Sequence, residues 1–248
     1  IETFLKAGNV AKEISHRGVK ITIKGDKSPV TDGDLAVDKI LQTKIKSLTP
    51  DLSIISEETV EANSKLKKEN KIFWLIDPID GTKEYIAGKD EYTLNAALII
   101  NKIPNIGLVG VPKKKRLFYS YGNGNSYLIE NEKLKKIDCS KETSRKNILA
   151  LSSDQTPSED IMKILKEYNV SKVTKMASSY KFCVIANGEY DIYAAKERAN
   201  EWDYAAGHAI AEHAGAIIKT LEGKEFRYGK DNYRNPSILI RRKNNLND

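Results

Sequence analysis

Two aspartates, Asp77 and Asp80, follow a short apolar run at a spacing that could place both carboxylates in one chamber. Pro78 fixes its own φ and holds Asp77 extended, and Gly81 permits a tight turn that other residues resist. Two bare carboxylates in such a chamber repel each other, and one takes up a proton unless a divalent cation lies between them. The other interpretation is an Asp-Pro turn in which Asp80 caps the next helix. The residues alone leave both interpretations open.

Thr82 follows this turn and begins a short predicted helix. The free N–H groups at the N-terminus of a helix favour phosphate. Carboxylates and a bound phosphate can lie side by side when cations between them offset the repulsion of their negative charges. The segment therefore favours phosphoryl chemistry over simple calcium storage.

Two further acidic candidates lie far from this segment in the chain. Glu57 and Glu58 are adjacent in a predicted loop, where such pairs are commonly surface charge. Asp203 precedes a predicted helix and could be a plain N-cap. The small residues at 205–207 would let that helix pack closely against a neighbour, which could carry Asp203 inward.

The small numbers of cysteines and histidines limit the kinds of site that the protein can form. Two cysteines without a Cys-x-x-Cys pair exclude a disulfide framework, a zinc ribbon and a thioredoxin-type site. His208 and His213 are five residues apart and so lie on different faces of a helix, which argues against a zinc pair. The 34 carboxylates keep oxygen-ligand metals open. This cysteine usage suits a reducing, cytoplasmic compartment.

The charge balance is basic but not concentrated. The 248 residues carry 41 Lys and Arg against 34 Asp and Glu, a net charge of +7. The lysines are scattered, which favours solvated surfaces over nucleic-acid binding, although a multiply phosphorylated small molecule would also be attracted. The longest apolar runs have five residues. A helix that crosses a bilayer needs about 20, so no membrane span is expected.

The hydrophobic pattern predicts the elements around these candidates. Apolar positions at helical spacing predict helices over residues 2–15 and 35–45. Apolar runs predict strands over 52–55 and 72–76, and the second strand would end where Asp77 begins the turn.

The two halves of the chain have different patterns. Residues 93–130 predict an antiparallel meander, whereas strands and helices alternate from residue 147 onward. We expect an α/β protein with two lobes in one catalytic unit. An α+β lobe would span residues 1–143, and an α/β lobe with Asp203 would span residues 144–248.

Several motifs in chain order resemble the inositol monophosphatase superfamily of magnesium-dependent, lithium-sensitive phosphatases. They are Ser56-Glu57-Glu58, residues 77–82 and residues 202–207. More narrowly, a second set resembles the CysQ-type 3′(2′),5′-bisphosphate nucleotidases: residues 28–31, 80–85 and 178–183, with Asn235-Pro236. The resemblance covers nearly the whole chain. It implies the layered αβαβα sugar-phosphatase fold.

The resemblance implies two to three Mg²⁺ ions. Glu57 and Asp77 would hold the first ion, together with the backbone carbonyl of Ile79. Asp77, Asp80 and Asp203 would hold the second. A third, weaker ion would use Glu57 and oxygens of the substrate.

The resemblance also implies catalytic roles. Thr82, paired with Asp34, would orient and deprotonate a water, with Glu57 at the metal beside it. Backbone N–H groups of Gly81 and Thr82 would hold the phosphate, and the water would attack in line without a covalent intermediate. Gly33 stands where the resembled signature usually has Ala, and we expect it only to loosen the loop.

Substrate contacts follow from the resemblance less directly. Ser178 and Lys181 match positions that contact the phosphate and sugar of the nucleotide. Lys196 lies seven residues before Asp203, where inositol monophosphatases carry an acidic residue, and a cation there suits a second phosphate. Residues 197–199 replace a Gly-Pro-Thr found in many nucleotidases, which leaves the contact to the distal phosphate open.

The expected activity is Mg²⁺-dependent removal of the 3′-phosphate from 3′-phosphoadenosine 5′-phosphate, giving AMP and supporting sulfur metabolism. The expected partner is thus a small bisphosphorylated nucleotide and not a nucleic acid, with the oligomeric state open. One alternative is a phosphatase for inositol phosphates or fructose 1,6-bisphosphate. Another is a non-enzymatic protein that binds phosphonucleotides or RNA, which would need a basic stripe with stacking aromatics. The 12 tyrosines show no such pattern.

Overall fold

The computed structural model describes residues 1–25, 27–60, 71–141 and 147–243. The helices among them are α1 (Glu2–Arg17), α2 (Asp32–Leu48), α3 (Thr82–Ile86), α4 (Glu159–Glu167), α5 (Tyr180–Ala186) and α6 (Glu201–His213). The strands of the first half are β1 (Ile21–Ile23), β2 (Pro29–Thr31), β3 (Ser53–Ser56), β4 (Ile72–Asp80), β5 (Thr93–Ile100), β6 (Ile103–Val111), β7 (Arg116–Ser120), β8 (Ser126–Glu130) and β9 (Lys133–Ile137). Those of the second half are β10 (Ile148–Ser152), β11 (Val170–Lys175), β12 (Ile192–Ala195), β13 (Ile217–Lys219) and β14 (Ile238–Arg241).

Two sheets form the frame of the molecule. The seven-stranded sheet runs in chain order from β3 to β9, with β3 parallel to β4 and the remaining pairs antiparallel. The five-stranded sheet has the order β11-β10-β12-β14-β13, with β10 parallel to both of its neighbours. β1 and β2 form a separate antiparallel hairpin. The predicted meander is confirmed and gains β9 as an additional edge strand.

Helices cover both sheets and fill the space between them. α1 and α2 pack on one face of the seven-stranded sheet, and α5 and α6 lie between its other face and the five-stranded sheet. α4 covers the outer face of the five-stranded sheet. The order of layers is therefore αβαβα, as predicted. No helix among the described residues is long and apolar enough to cross a membrane.

Small residues seat α6 tightly between the two sheets. A Cβ at Gly107 on β6 would overlap the carbonyl oxygen of Ala206 and lie 2.8 Å from Ala209 Cβ. A Cβ at Gly207 would lie 2.7 Å from Phe182 on α5. α6 can approach β6 and α5 this closely only because both positions lack a side chain, which confirms the predicted close packing of residues 205–207.

Several element boundaries differ from the sequence prediction, and those of β4 and α6 bear on the acidic residues. β4 does not end before Asp77 but continues to Asp80, because Asp77 pairs with Asn95 and Asp80 with Thr93 on β5. A register shift between these two pairs accommodates Pro78, which cannot donate to a ladder. α6 begins at Glu201 and not at Asp203.

The predicted lobe boundary near residue 143 falls in residues 142–146, which lie outside the described residues. The division into residues 1–143 and 144–248 therefore stays a prediction.

The expectation that Gly33 merely loosens a loop is wrong. Gly33 lies in the first turn of α2 and is buried under Tyr85. A Cβ at Gly33 would overlap the Tyr85 hydroxyl and approach a ring carbon to 2.7 Å. The ring cannot move freely, because its hydroxyl donates to the carbonyl oxygen of Ala11 at 2.7 Å and its edge packs on Tyr92.

We expect Gly33→Ala to lower the free energy of unfolding. The overlap costs about 1–3 kcal/mol, which exceeds the roughly 1 kcal/mol that Ala gains over Gly inside a helix. Urea unfolding of the two proteins measures the difference. In a Tyr85→Phe background the cost should be smaller, because the nearest atom and its tether are gone. Stabilisation by Gly33→Ala, or an equal cost in both backgrounds, would contradict the packing argument.

Candidate active site

Three acidic side chains from distant parts of the chain meet beside the end of β4. Glu57 follows β3, Asp77 lies in β4, and Asp203 lies in the first turn of α6. One carboxylate oxygen of each lies within 4.8 Å of the others. The parallel pairing of β3 with β4 produces part of this arrangement, because the Glu57 N–H donates to the Ile76 carbonyl at 3.1 Å and extends the ladder to the glutamate.

Asp80 completes the acidic cluster from the end of the same strand. Its charge raises the pKa of Glu57, Asp77 and Asp203, so it lies within electrostatic range of all three. The backbone N–H of Ser179, just before α5, donates to Asp80 Oδ2 at 2.5 Å. The structure thus brings together the four acidic residues that the sequence singled out.

Burial and mutual repulsion disfavour the charged form of these carboxyls. Burial raises the pKa of Asp77 well above its usual range, and Glu57 and Asp80 raise it further. Burial likewise raises the pKa of Asp203 well above its usual range and that of Asp80 to about 6. Burial also raises the pKa of Glu57, although nearby Lys24 opposes the effect.

The donor set fits a divalent cation that prefers oxygen ligands. Asp77 Oδ1 is buried without a hydrogen-bond partner among the described residues. Such an orphaned anionic oxygen is costly unless something positive contacts it. Carboxylates in this number suit Mg²⁺ or a similar hard cation. A cation here would also remove the repulsion that raises the pKa of each carboxyl.

Thr82 and Asp34 lie together beside the cluster. The Thr82 hydroxyl lies 3.2 Å from the Ile79 carbonyl oxygen and 3.5 Å from Asp34 Oδ1. Gly81 makes this approach possible, because its φ of 89° is a left-handed conformation that favours glycine. The other oxygen of Asp34 accepts from the backbone N–H of Thr31 at 2.8 Å. Burial raises the pKa of Asp34 to about 6.

Ser178 and Lys181 are held more tightly than the sequence suggests. Ser178 adopts a φ of 55°, and its hydroxyl donates to the carbonyl oxygen of Glu91. Lys181 is buried, and its ammonium donates to the Ser178 carbonyl at 2.6 Å and to the Met176 carbonyl at 3.3 Å. It is therefore a fixed charge near Asp80, whose pKa it lowers.

Lys196 is placed differently, in an exposed position. Its ammonium forms an ion pair with Asp160 at 2.5 Å, and Arg198 pairs with Asp154 at 2.8 Å. Both cations line a cavity of about 240 Å³ at the ends of β10 and β12. The cavity extends from the strand that carries Tyr193, whose ring lies 5.3 Å from the Lys181 ammonium.

One contact at the site was not predicted from the sequence. The Lys24 ammonium, just after β1, lies 3.3 Å from Glu57 and 2.9 Å from Glu58. Lys24 is one of many scattered lysines, and no spacing in the sequence distinguishes it. The glutamates are therefore not simple surface charge, because a half-buried cation offsets them.

The fold and the site define a class of layered α/β proteins with a carboxylate cluster suited to metal-assisted chemistry on phosphate. The sequence profile of the inositol monophosphatase family matches residues 1–246, and the chain belongs to this family. This result confirms the resemblance inferred from the motifs.

Two individual relatives show which members of the family this chain resembles. The chain is 34% identical over 218 residues to the 3′(2′),5′-bisphosphate nucleotidase CysQ of Salmonella typhimurium, covering 88% of this chain and 87% of the relative. It is 32% identical to CysQ of Escherichia coli over 221 residues, covering 89% and 88% of the two chains.

Solved structures show the same fold. The crystal structure of CysQ from Bacteroides thetaiotaomicron superposes with a TM-score of 0.81 at 26% identity, covering 97% of this chain and 94% of that one. An IMPase/NADP phosphatase complexed with Mg²⁺ and phosphate matches in fold with a TM-score of 0.77, at 18% identity and with 96% and 87% coverage.

We expect Mg²⁺ to stabilise the protein more at pH 8 than at pH 5.5. Asp34 and Asp80 have a folded pKa of about 6, above the unfolded value of roughly 4 for Asp. Their protonation therefore supports folding below the unfolded pKa, and this support is lost as the pH rises through about 6. At high pH, Mg²⁺ bound at the cluster would take the place of the proton on Asp80 and offset the negative charge of Asp34 nearby. Thermal unfolding with EDTA or Mg²⁺ at the two pH values measures the difference.

Asp77→Asn is the control for this experiment, since it should reduce the Mg²⁺-dependent shift in Tm at pH 8. A shift of equal size at both pH values would contradict the assignment of the carboxylate cluster as the binding site.

Proposed function

We propose that this protein is a Mg²⁺-dependent phosphatase that removes the 3′-phosphate from 3′-phosphoadenosine 5′-phosphate, giving AMP. The observation that carries the proposal is the convergence of Glu57, Asp77 and Asp203, of which Asp77 has a buried oxygen without a hydrogen-bond partner among the described residues. Relatives at 32–34% identity that are named 3′(2′),5′-bisphosphate nucleotidases support the choice of substrate.

The cluster divides naturally between two cations. Glu57 and Asp77 would hold one, with the Ile79 carbonyl close by, and Asp77, Asp80 and Asp203 would hold the other. A third cation would depend on Glu57 and the substrate. Such cations lower the pKa of an attacking water and offset the charge on the departing oxygen.

The neighbouring residues provide orientation and proton transfer. Asp34 lies behind Thr82, so a water that donates to the Thr82 hydroxyl can pass its proton toward the Asp34 carboxylate. The pKa of about 6 leaves Asp34 largely ionised at neutral pH and close to the best value for a base. The water oxygen forms the new bond to phosphorus as the bond to O3′ breaks. O3′ takes its proton from a solvent water, and Asp34 returns the proton that it accepted to solvent. The N–H groups of Gly81 and Thr82 would hold the phosphate during this transfer.

The cavity lined by Lys196 and Arg198 supports a second phosphate on the substrate. Lys181 carries a fixed charge on one side of the Tyr193 ring, and Arg198 and Lys196 line the cavity. Both exposed cations are paired with Asp154 and Asp160, so a phosphate that enters must compete with these carboxylates. Ser178, adjacent to the cluster through Asp80 and Ser179, would orient the sugar.

Phosphate release from three substrates tests the proposed activity. With Mg²⁺ present, kcat/KM should be highest for 3′-phosphoadenosine 5′-phosphate, and lower for inositol 1-phosphate and fructose 1,6-bisphosphate. Asp77→Asn should reduce the rate by a factor on the order of 10³, since several kcal/mol of charge stabilisation are lost and each ~1.4 kcal/mol is tenfold.

Asp51→Asn, an exposed aspartate in a turn before β3, is the matched control and should leave the rate unchanged. A preference for either sugar phosphate would overturn the nucleotide assignment. Absence of turnover on all three, together with salt-dependent binding of RNA, would favour a non-enzymatic role.

We expect opposite effects from the two members of the Arg198–Asp154 ion pair. Arg198→Ala should raise the KM for 3′-phosphoadenosine 5′-phosphate by about 10- to 100-fold, which corresponds to one charge-assisted hydrogen bond of ~1.5–3 kcal/mol. Asp154→Asn should lower that KM, because it releases the guanidinium. Adenosine 3′-monophosphate is the internal control, since its KM should not change. Equal effects on both nucleotides would place Arg198 outside the distal phosphate site.

A further inference from the structure

A buried hydrogen-bond network lies directly behind the two aspartates of β4. Asn95 and Thr93 on β5 are the cross-strand partners of Asp77 and Asp80. Both side chains point to Ser179, which precedes α5. All three network residues, Thr93, Asn95 and Ser179, are at most 1% exposed. Buried polar groups in such a position constrain geometry strongly, because an alternative arrangement leaves one of them without a partner.

The number of protons on each group determines which group donates in each hydrogen bond. The Ser179 hydroxyl lies 2.7 Å from Asn95 Oδ1 and donates its only proton there. The Thr93 hydroxyl, 2.9 Å from Ser179 Oγ, is then the donor in that pair. With Asn95 Oδ1 accepting from Ser179, Asn95 Nδ2 faces Asp80, since the reversed amide would place its oxygen against a carboxylate.

The Asn95 amide has a donor to spare on the side of the cluster. Asn95 Nδ2 is buried without a hydrogen-bond partner among the described residues, and Asn95 favours the charged form of Asp80, which lowers the pKa of that carboxyl. The Ser179 backbone N–H already donates to Asp80 Oδ2. Asp80 Oδ2 is therefore held from behind by the Ser179 N–H, and the amide of Asn95 accepts from the hydroxyl of the same serine.

The same segment is fixed at its start. The Ala177 N–H donates to Glu91 Oε2 at 3.0 Å, and the Ser178 hydroxyl donates to the Glu91 carbonyl. Ser178 holds a left-handed φ of 55° between these contacts. Such a conformation in a residue other than glycine persists only where the surroundings determine it. The position of the Ser179 N–H is thus determined by contacts to the segment that leads into β5.

Packing between α5 and α6 connects Ser179 to Asp203. Ser179 precedes α5, and Phe182 of α5 packs on Gly207 of α6. The contact is so close that a Cβ at Gly207 would lie 2.7 Å from the Phe182 side chain. α6 carries Asp203 in its first turn. Fixing Ser179 against β5 therefore also fixes the distance between Asp80 on β4 and Asp203 on α6.

We infer that Asn95 and Ser179 are positioning residues that orient Asp80 and hold it in register with Asp203 to form the second cation site. Thr93 supports these two residues, because its hydroxyl donates a hydrogen bond to the Ser179 hydroxyl oxygen. The inference rests on the proposed function for its meaning, but it concerns cation affinity and not turnover. Partners behind metal ligands typically change metal affinity by about 10- to 100-fold when they are removed.

Calorimetric titration of EDTA-treated protein with Mg²⁺, without substrate, tests the inference. Ser179→Ala and Asn95→Leu should each weaken Mg²⁺ binding by about 10- to 100-fold. Ser126→Ala is the matched control, because Ser126 is a fully buried serine whose hydroxyl donates to the Ile210 carbonyl at 2.9 Å. The control should lose comparable thermal stability while keeping the affinity of the unmodified protein for Mg²⁺.

Asn95→Asp adds a second readout. It keeps the acceptor for Ser179 but places a carboxylate against Asp80, so the pH at which Mg²⁺ binding is half-maximal should rise. If Asn95→Leu does not fold, Ser179→Ala and Asn95→Asp decide the question.

Three outcomes would overturn the inference: unchanged Mg²⁺ affinity in the Asn95 and Ser179 variants, an equal loss of affinity in Ser126→Ala, or no Mg²⁺ binding by the unmodified protein. Normal Mg²⁺ binding with the expected losses, but no phosphate release from any substrate, would contradict the proposed function and leave the inference standing.

Discussion

Mutual repulsion among buried carboxylates is the constraint on which the remaining structure depends. At 4.8 Å and an effective dielectric constant of about 20, each charged pair costs about 3–4 kcal/mol. The fold must hold Glu57, Asp77 and Asp203 together against this cost. It does so with elements whose own packing is secure, namely a parallel strand pair in the sheet and a helix seated on glycines between two sheets. Half-buried Lys24 offsets part of the charge at Glu57.

Three aspartates each accept a hydrogen bond from a backbone N–H, which offsets part of this repulsion. Asp34 accepts from the Thr31 N–H, Asp203 from the Asn200 N–H at 2.8 Å, and Asp80 from the Ser179 N–H. In the first two cases the contact also begins a helix, so the same carboxylate stabilises α2 or α6 and faces the cleft. Each bond occupies one carboxylate oxygen and leaves the other available. The residues that build the local structure are thus the residues that define the site.

The sequence predicts the site better where the chemistry lies within short motifs. Asp77, Asp80 and Thr82 share one segment. Glu57 follows a predicted strand and Asp203 precedes a predicted helix. The pattern could not show that β4 continues past Pro78, because the register shift depends on pairing with β5. The contacts behind the cluster were also beyond its reach. Ser179 meets Asn95 and Asp80 across 84 and 99 residues, and common serines and asparagines give no periodic signal.

The distribution of charge explains why the net charge of +7 says little about the site. The cluster itself is acidic, and a phosphate dianion is repelled by it until cations reverse its sign. The cations nearest the proposed distal phosphate, Lys196 and Arg198, are already neutralised by aspartates. If the proposed sites are correct, attraction of a doubly phosphorylated substrate would depend on two local exchanges, metal for proton at the carboxylates and phosphate for carboxylate at the ion pairs. Discrimination between one and two phosphates would then lie in the second exchange, because a monophosphate held at the cluster would leave both ion pairs intact.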